Sequence, residues 1–260
     1  MSTANISAYH IVIPARFASE RLPGKVCLDL AGQPLLQHVW QRACESKAES
    51  VTIATDDERI VQLAEAFGAQ VVLTSEDHQS GSDRIAECAA KLEWPDGHLV
   101  VNLQGDEPLM PAACLDQVGA LLDQRPDCEV ASLYWPIDEA AEVQNPNAVK
   151  VVTDSQDRAL YFSRAPIPYA RSYGSILEAM NAGVVWKRHL GLYAYRLAAL
   201  RRYTSCAPTP LEVSERLEQL RIMEQGGRIA MAMACEFIPA GIDTAEDLRR
   251  VTLLIESNRL

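Results

Sequence analysis

The sequence predicts one α/β domain over residues 1–260, built on a mostly parallel mixed sheet flanked by helices, with a smaller β-rich insertion at about 129–200. Three observations predict it. Up to residue 125, short apolar runs alternate with amphipathic stretches of helical length, the pattern of βαβ crossovers in a parallel sheet. After Pro126 the alternation gives way to β-like runs separated by turn residues. The chain has 260 residues, 48% of them hydrophobic, enough to bury one large core.

The elements follow in order. His10–Pro14 reads as a buried strand, and Leu35–Ser46 carries Leu35, Leu36, Val39, Trp40 and Ala43 at helical spacing. Val51–Thr55 is the second strand. Asp57–Phe67 is a helix opened by acids and stopped by Gly68. Gln70–Leu73, the helix Ser82–Leu92, the strand Leu99–Leu103 and a helix over Ala112–Gln124 complete the first half. Glu129–Ile137, Val149–Thr153 and Arg158–Ser163 form a meander, antiparallel strands added to the sheet or projecting from it. Leu190–Tyr195 is a further strand, Ser214–Gln225 a helix stopped by Gly226–Gly227, and Arg228–Cys235 a β run. Thr244–Ser257 is a terminal helix with a threonine N-cap.

Composition excludes several classes. The 24 basic and 35 acidic side chains leave a net charge of −11, against nucleic-acid binding, which needs clustered Lys and Arg. A local basic pocket for a small anion remains compatible with that charge. No window approaches the ~18 apolar residues of a membrane span. The opening segment lacks the basic start of a signal peptide, and its apolar part is only Ile11–Ala15. The seven cysteines are scattered with no Cys-x-x-Cys, and are expected to be reduced, mostly buried small hydrophobes of a cytoplasmic protein. Five scattered histidines argue against a transition-metal site.

Residues 14–25, Pro-Ala-Arg-Phe-Ala-Ser-Glu-Arg-Leu-Pro-Gly-Lys, form a glycine-containing loop with three cations, Arg16, Arg21 and Lys25, directly after a strand. Ligands of open α/β sheets bind beyond the carboxyl ends of strands, and loop amides with converging cations suit a polyphosphate. A solvated surface loop would read the same way. The Walker spacing is absent, so this is no P-loop. Asp106 follows Gly105 at the end of the fourth strand, where a carboxylate can hold Mg²⁺ against phosphates. Gly-Asp is also a common turn. Asp243 reads locally as a capping acid. Asp56 and Asp57 open a helix, and the first-turn dipole explains them without a metal.

These residues carry a resemblance. Ile13–Arg16 with Arg21–Lys25, Gly32–Val39, Val51–Asp57, Asp77–Arg84 and Asn102–Pro108 look like 3-deoxy-manno-octulosonate (KDO) cytidylyltransferases, as do Asn145–Lys150, Ala159–Ala165, Arg188–Gly191, Pro210–Glu212, Leu217–Arg221 and Gly241–Leu248. The likeness runs in order through nearly the whole chain. Val26-Cys27 departs from it, since the family usually has Pro-Leu after the lysine, and so does a polar N-terminal extension of about eight residues. The resemblance implies a nucleotide-diphospho-sugar transferase-like fold, and transfer of CMP from CTP to KDO with release of pyrophosphate, for lipopolysaccharide synthesis. It implies Mg²⁺ as cofactor, held by Asp106 and Asp243, with Arg16 and Lys25 on the triphosphate. Lys25, Arg16 and Asp106 are the implied catalytic group. Arg84, otherwise a solvated helix charge, is placed near the nucleotide, and Gln104 on both substrates. His189, otherwise a structural histidine, Tyr193, Arg164 and Glu212 are placed on the sugar acid. Glu218 reads as a surface acid. A strong general base is not required, because in-line displacement at phosphorus rests on positioning and charge. A homodimer through the β-rich segment is expected.

Other readings compete. A cytidylyltransferase for 8-amino KDO would keep the CTP half and alter the pocket from His189 to Glu212. A sialic acid enzyme typically lacks the Arg-Leu-Pro-Gly-Lys and Arg-His-Leu-Gly forms. A silent nucleotide-binding homologue would be marked by loss of Lys25, Asp106 or Asp243, and all three are present. A glycosyltransferase would act without CTP.

Overall fold

The computed structural model describes residues 8–18, 22–78 and 80–257. Arg21, one of the three loop cations, and most of the N-terminal extension lie outside the described residues. The first strand, β1 (Tyr9–Ala15), is sealed on both faces, with Ile11, Val12 and Ile13 fully buried, as a central parallel strand requires. A 3-10 turn over Lys25–Cys27 and a small antiparallel ribbon, β2 (Asp29–Leu30) with β3 (Gln33–Pro34), lead into helix α1 (Leu35–Cys44). Then come β4 (Ser50–Thr55), α2 (Glu58–Ala66), β5 (Gln70–Leu73), α3 (Gly81–Lys91), β6 (Leu99–Asn102) and α4 (Ala112–Asp123). β1 pairs parallel with β4 and β6, and β4 with β5, so the first half is the expected parallel sheet. The Asp57 carboxylate accepts from the Arg59 N–H and caps α2, while Gly68 beyond its end takes φ +84°.

The second half comprises β7 (Val130–Ile137), α5 (Ala140–Gln144), β8 (Lys150–Thr153), β9 (Ala159–Ser163), α6 (Ile176–Asn181), β10 (Trp186–Arg196), α7 (Leu197–Thr204), α8 (Pro210–Glu215), α9 (Gln219–Glu224), β11 (Ile229–Met233) and α10 (Ala245–Glu256). The main sheet runs β11-β7-β10-β6-β1-β4-β5, and β10 alone runs against the others. Segment 129–200 therefore divides. β7 and β10 belong to the main sheet, whereas β8 and β9 hang from β10. Ile137, Val143, Ala179 and Trp186 form a small core of their own under this projection.

Three expectations change. The helix expected over Ser214–Gln225 is two short helices, because Arg216 takes the left-handed conformation at φ 52° and ψ 51° and ends α8. The strand expected from Leu190 begins at Trp186, since the polar Lys187, Arg188 and His189 still pair with β7. The cysteines are free but not mostly buried: Cys88, Cys114 and Cys128 are, while Cys44 and Cys235 are exposed. Among the described residues no helix is long and apolar enough to cross a membrane.

Candidate active site

Two loops at the carboxyl edge of the sheet meet at one ammonium. Gly24, at φ +66°, starts the turn that presents Lys25, and its N–H donates to the Phe17 carbonyl at 3.0 Å. A Cβ there would sit 3.1 Å from the Phe17 ring. Lys25 Nζ lies 2.6 Å from Asp106 Oδ2 and 3.2 Å from Asp243 Oδ1. Asp106 follows β6, and Gly105 lets that loop pass the end of β1, since a Cβ would lie 3.1 Å from the Pro14 carbonyl. The segment before α10 is stitched alongside: the Ile242 N–H donates to the Asp106 carbonyl at 2.9 Å, and Gly241 packs on the same backbone. Chain stretches far apart in sequence thus bring two carboxylates together. That pair fits a hard divalent cation, which takes one or two carboxylates and completes its shell with phosphate oxygens and water. Among the described residues no trio of His, Cys, Asp or Glu converges as a self-sufficient metal cage. Glu107 next door has its pKa pushed up to about 8 by burial and by the Asp106 and Asp243 charges.

A cavity of about 390 Å³ is lined by residues of the same two loops, though Lys25, Asp106 and Asp243 themselves do not line it. Arg16 and Gln104 line it, with Arg84 in the wall and Tyr193 and Glu218 opposite. Asn102 and Gln219, both nearly fully buried, also line it, and the Asn102 Oδ1 acceptor and Gln219 Nε2 donor have no hydrogen-bond partner among the described residues. Buried polar groups are nearly always satisfied, so these two are unsatisfied atoms sealed within the wall, not groups that open on the cavity. Glu218 was passed over as a surface acid. Its side chain accepts from Tyr203 Oη at 3.2 Å and Ser82 Oγ at 3.4 Å, and burial raises its pKa. Two spaced acids on one apparent helix gave no sign that the chain breaks between them.

A second cavity of about 380 Å³ lies on the other side of Gly191 and is lined by His189, Glu107, Arg188 and Gly241. Between Leu190 and Tyr193 the β10–β7 register slips; His189 lines the second cavity and Tyr193 the first, and their rings stay in contact with centroids 5.3 Å apart. Burial pushes the His189 pKa down to about 3 and the Tyr193 hydroxyl well up, so both are neutral near pH 7.

Of three further expected residues, Arg84 lines the first cavity while Arg164 and Glu212 line neither. Arg84 is not a solvated charge. It is 3% exposed, donating from Nη2 to Asp56 Oδ2 at 2.6 Å and from Nη1 to Thr74 Oγ1 at 2.5 Å. Arg164 lines neither cavity: it donates to the Glu215 carbonyl at 2.7 Å, the Pro146 carbonyl at 2.9 Å and the Arg216 carbonyl at 3.2 Å. Glu212 lines neither cavity as well. It accepts from the Thr209 N–H at 3.1 Å in a capping box and from Arg221 Nε at 2.6 Å. The Thr-x-x-Glu spacing at 209–212 was the available signal for that structural role.

A sheet edge carrying a basic loop, two converging acids and a polar cavity lined by Arg16, Arg84 and Gln104 defines an α/β enzyme of the nucleotidyltransferase class. A cytidylyltransferase family model matches residues 10–229. The chain is 50% identical over 251 residues to the 3-deoxy-manno-octulosonate cytidylyltransferase of Pseudomonas syringae pv. syringae, covering 96% of this chain and 99% of that one. It is 52% identical over 245 residues to the enzyme of the same name from Chromohalobacter salexigens, covering 94% and 95%. Among solved structures, a CMP:2-keto-3-deoxy-manno-octonic acid synthetase complexed with CTP superposes at a TM-score of 0.88 with 39% identity, over 97% of this chain and all of that one. A cytidylyltransferase from Leptospira borgpetersenii shares the fold at a TM-score of 0.57 and 18% identity, over 97% of this chain and 95% of that one. The chain belongs to the 3-deoxy-manno-octulosonate cytidylyltransferase family.

Proposed function

We propose that this protein joins CTP and KDO to give CMP-KDO and pyrophosphate, supplying an activated sugar acid for lipopolysaccharide synthesis in the cytoplasm. The observation that carries the reading is the Lys25–Asp106–Asp243 cluster on the same loops that send Arg16 and Gln104 to the cavity. Arg16 and Lys25 bind the triphosphate, where two cations offset its charge and fix the leaving pyrophosphate. Asp106 and Asp243 hold Mg²⁺, which when bound supplies positive charge to the phosphate oxygens and to the attacking anomeric hydroxyl. Gln104 touches both substrates from the cavity floor. His189 and Tyr193 meet the sugar acid as neutral groups, and Glu218 joins them. Arg84 shapes the nucleotide wall through its pair with Asp56. Arg164 and Glu212 brace the wall that carries Glu218, Arg164 through the Glu215 and Arg216 carbonyls and Glu212 through Arg221.

A homodimer through the projecting β-rich part is our expectation, supported by exposed apolar side chains there, Leu160, Tyr169, Leu177 and Val185. Light scattering reads it directly, and a monomer at micromolar concentration contradicts it. Substrate choice is tested by pyrophosphate release from CTP and Mg²⁺ with KDO, 8-amino KDO and N-acetylneuraminate supplied separately. Preferential release with KDO is expected. Preference for the 8-amino sugar moves the assignment to that substrate, and no release with any of them leaves a silent binder.

A further inference from the structure

The bulge in β10 is closed by one side chain from the neighbouring strand. Ser132 on β7 is fully buried and sits opposite Tyr193 where the register slips. Its Oγ lies 3.0 Å from the Leu190 carbonyl, 2.9 Å from the Leu192 carbonyl and 3.0 Å from His189 Nε2. Carbonyl oxygens only accept, and a serine hydroxyl has one proton. If that proton went to the imidazole, three oxygens would crowd with no hydrogen between them, leaving buried acceptors unsatisfied. The proton therefore goes to the carbonyls, and the serine oxygen accepts from an Nε2–H. His189 Nδ1 then carries a lone pair. Among the described residues no hydrogen bond engages Nδ1, and it is not one of the sealed, unpartnered polar atoms; the ring packs on Phe162 and Tyr193, and His189 lines the second cavity.

We propose that Ser132 is a positioning residue: it holds His189 in the Nε2–H tautomer, so that Nδ1 stands as an acceptor for a hydroxyl of the sugar acid. This rests on the reading that His189 meets that substrate. The depressed His189 pKa agrees, because the ring then stays neutral across the working range. The same hydroxyl ties down the bulge between His189 and Tyr193 through the Leu190 and Leu192 carbonyls, so one group holds both the backbone and the hydrogen-bonding sense of the site.

The test combines a spectroscopic readout with kinetics. Imidazole ¹⁵N spectra of the full chain, with His189 assigned by its loss in His189→Ala, should show the Nε2–H form at pH 7. Ser132→Ala should raise KM for KDO about tenfold and blur the tautomer, while KM for CTP moves by less than about twofold. Ser132→Thr keeps the hydroxyl and should restore both. An Nδ1–H tautomer in the wild type overturns the proposal, as does a folded Ser132→Ala with unchanged spectrum and KDO KM. If Ser132→Ala does not fold, the wild-type spectrum and Ser132→Thr decide. An unchanged KDO KM in His189→Ala removes the substrate contact and with it the acceptor role, a failure distinct from a wrong tautomer.

Discussion

Lys25 Nζ stands 2.6 Å from Asp106 Oδ2, joining the loop after β1 to the loop after β6, and the same ammonium reaches Asp243. Lysine and acids thus compensate one another before any substrate arrives. Lys25→Ala leaves two carboxylates facing each other. A fall in kcat on the order of 10²–10³-fold is expected, the cost of losing one donor to developing charge. Melting in EDTA should drop, and Mg²⁺ should raise Tm more than in the wild type, because the cation takes over the compensation. Thermal melts with and without Mg²⁺ check it.

Gly241 lies against the Asp106 backbone, where a Cβ would approach the carbonyl oxygen to 3.0 Å. Gly241→Ala should push the two acid-bearing loops apart and lower kcat/KM for CTP on the order of tenfold to a hundredfold, since small misplacements at a reacting centre are costly. Steady-state kinetics at saturating KDO read this out. A variant matching wild type would mean the loops tolerate separation.

Buried Arg84 pairs with half-buried Asp56. Arg84→Met strands the Asp56 carboxylate and should cost about 3–5 kcal/mol in denaturant unfolding. Adding Asp56→Asn should recover part of the loss, because the stranded charge disappears. Equal destabilisation in single and double variants would contradict the pairing.

Glu218 carries a pKa raised chiefly by burial, with the Tyr203 bond only partly offsetting it. A raised carboxyl pKa means the folded state holds a proton longer than the unfolded chain. Its contribution is fully present below the ordinary carboxylate pKa and is lost as pH rises through the folded value. Glu218→Gln should therefore raise Tm at pH 8 by roughly 2–4 °C, the equivalent of about 1 kcal/mol, and leave Tm at pH 3.5 nearly unchanged. Melting curves at the two pH values test the sign. KDO turnover in this variant should fall, since the acid lines the cavity.

The parallel half of the fold was legible because β1, β4 and β6 are buried runs separated by helices with local start and stop signals, such as Asp57 and Gly68. The break at Arg216 was not, since a non-glycine residue in the left-handed region leaves no compositional mark. That one hidden break explains why Glu218 read as a surface acid. Family likeness, not spacing, suggested the Asp106–Asp243 pair, and only the tertiary contact from Ile242 to the Asp106 carbonyl shows how the two converge. The burial of Arg84 was not legible locally, because its partner, Asp56, lies on another strand end.

If the Asp106 carboxylate, with Asp243 and Lys25, drives cytidylyl transfer to KDO, removing it should stop the reaction without unfolding the chain. Pyrophosphate release from CTP, Mg²⁺ and KDO, measured on the wild type and on Asp106→Ala side by side, tests it most directly. The wild type should show KDO-dependent release, and the variant, with circular dichroism and melting preserved, release at least about 10³-fold slower. Near-normal release by Asp106→Ala would contradict it.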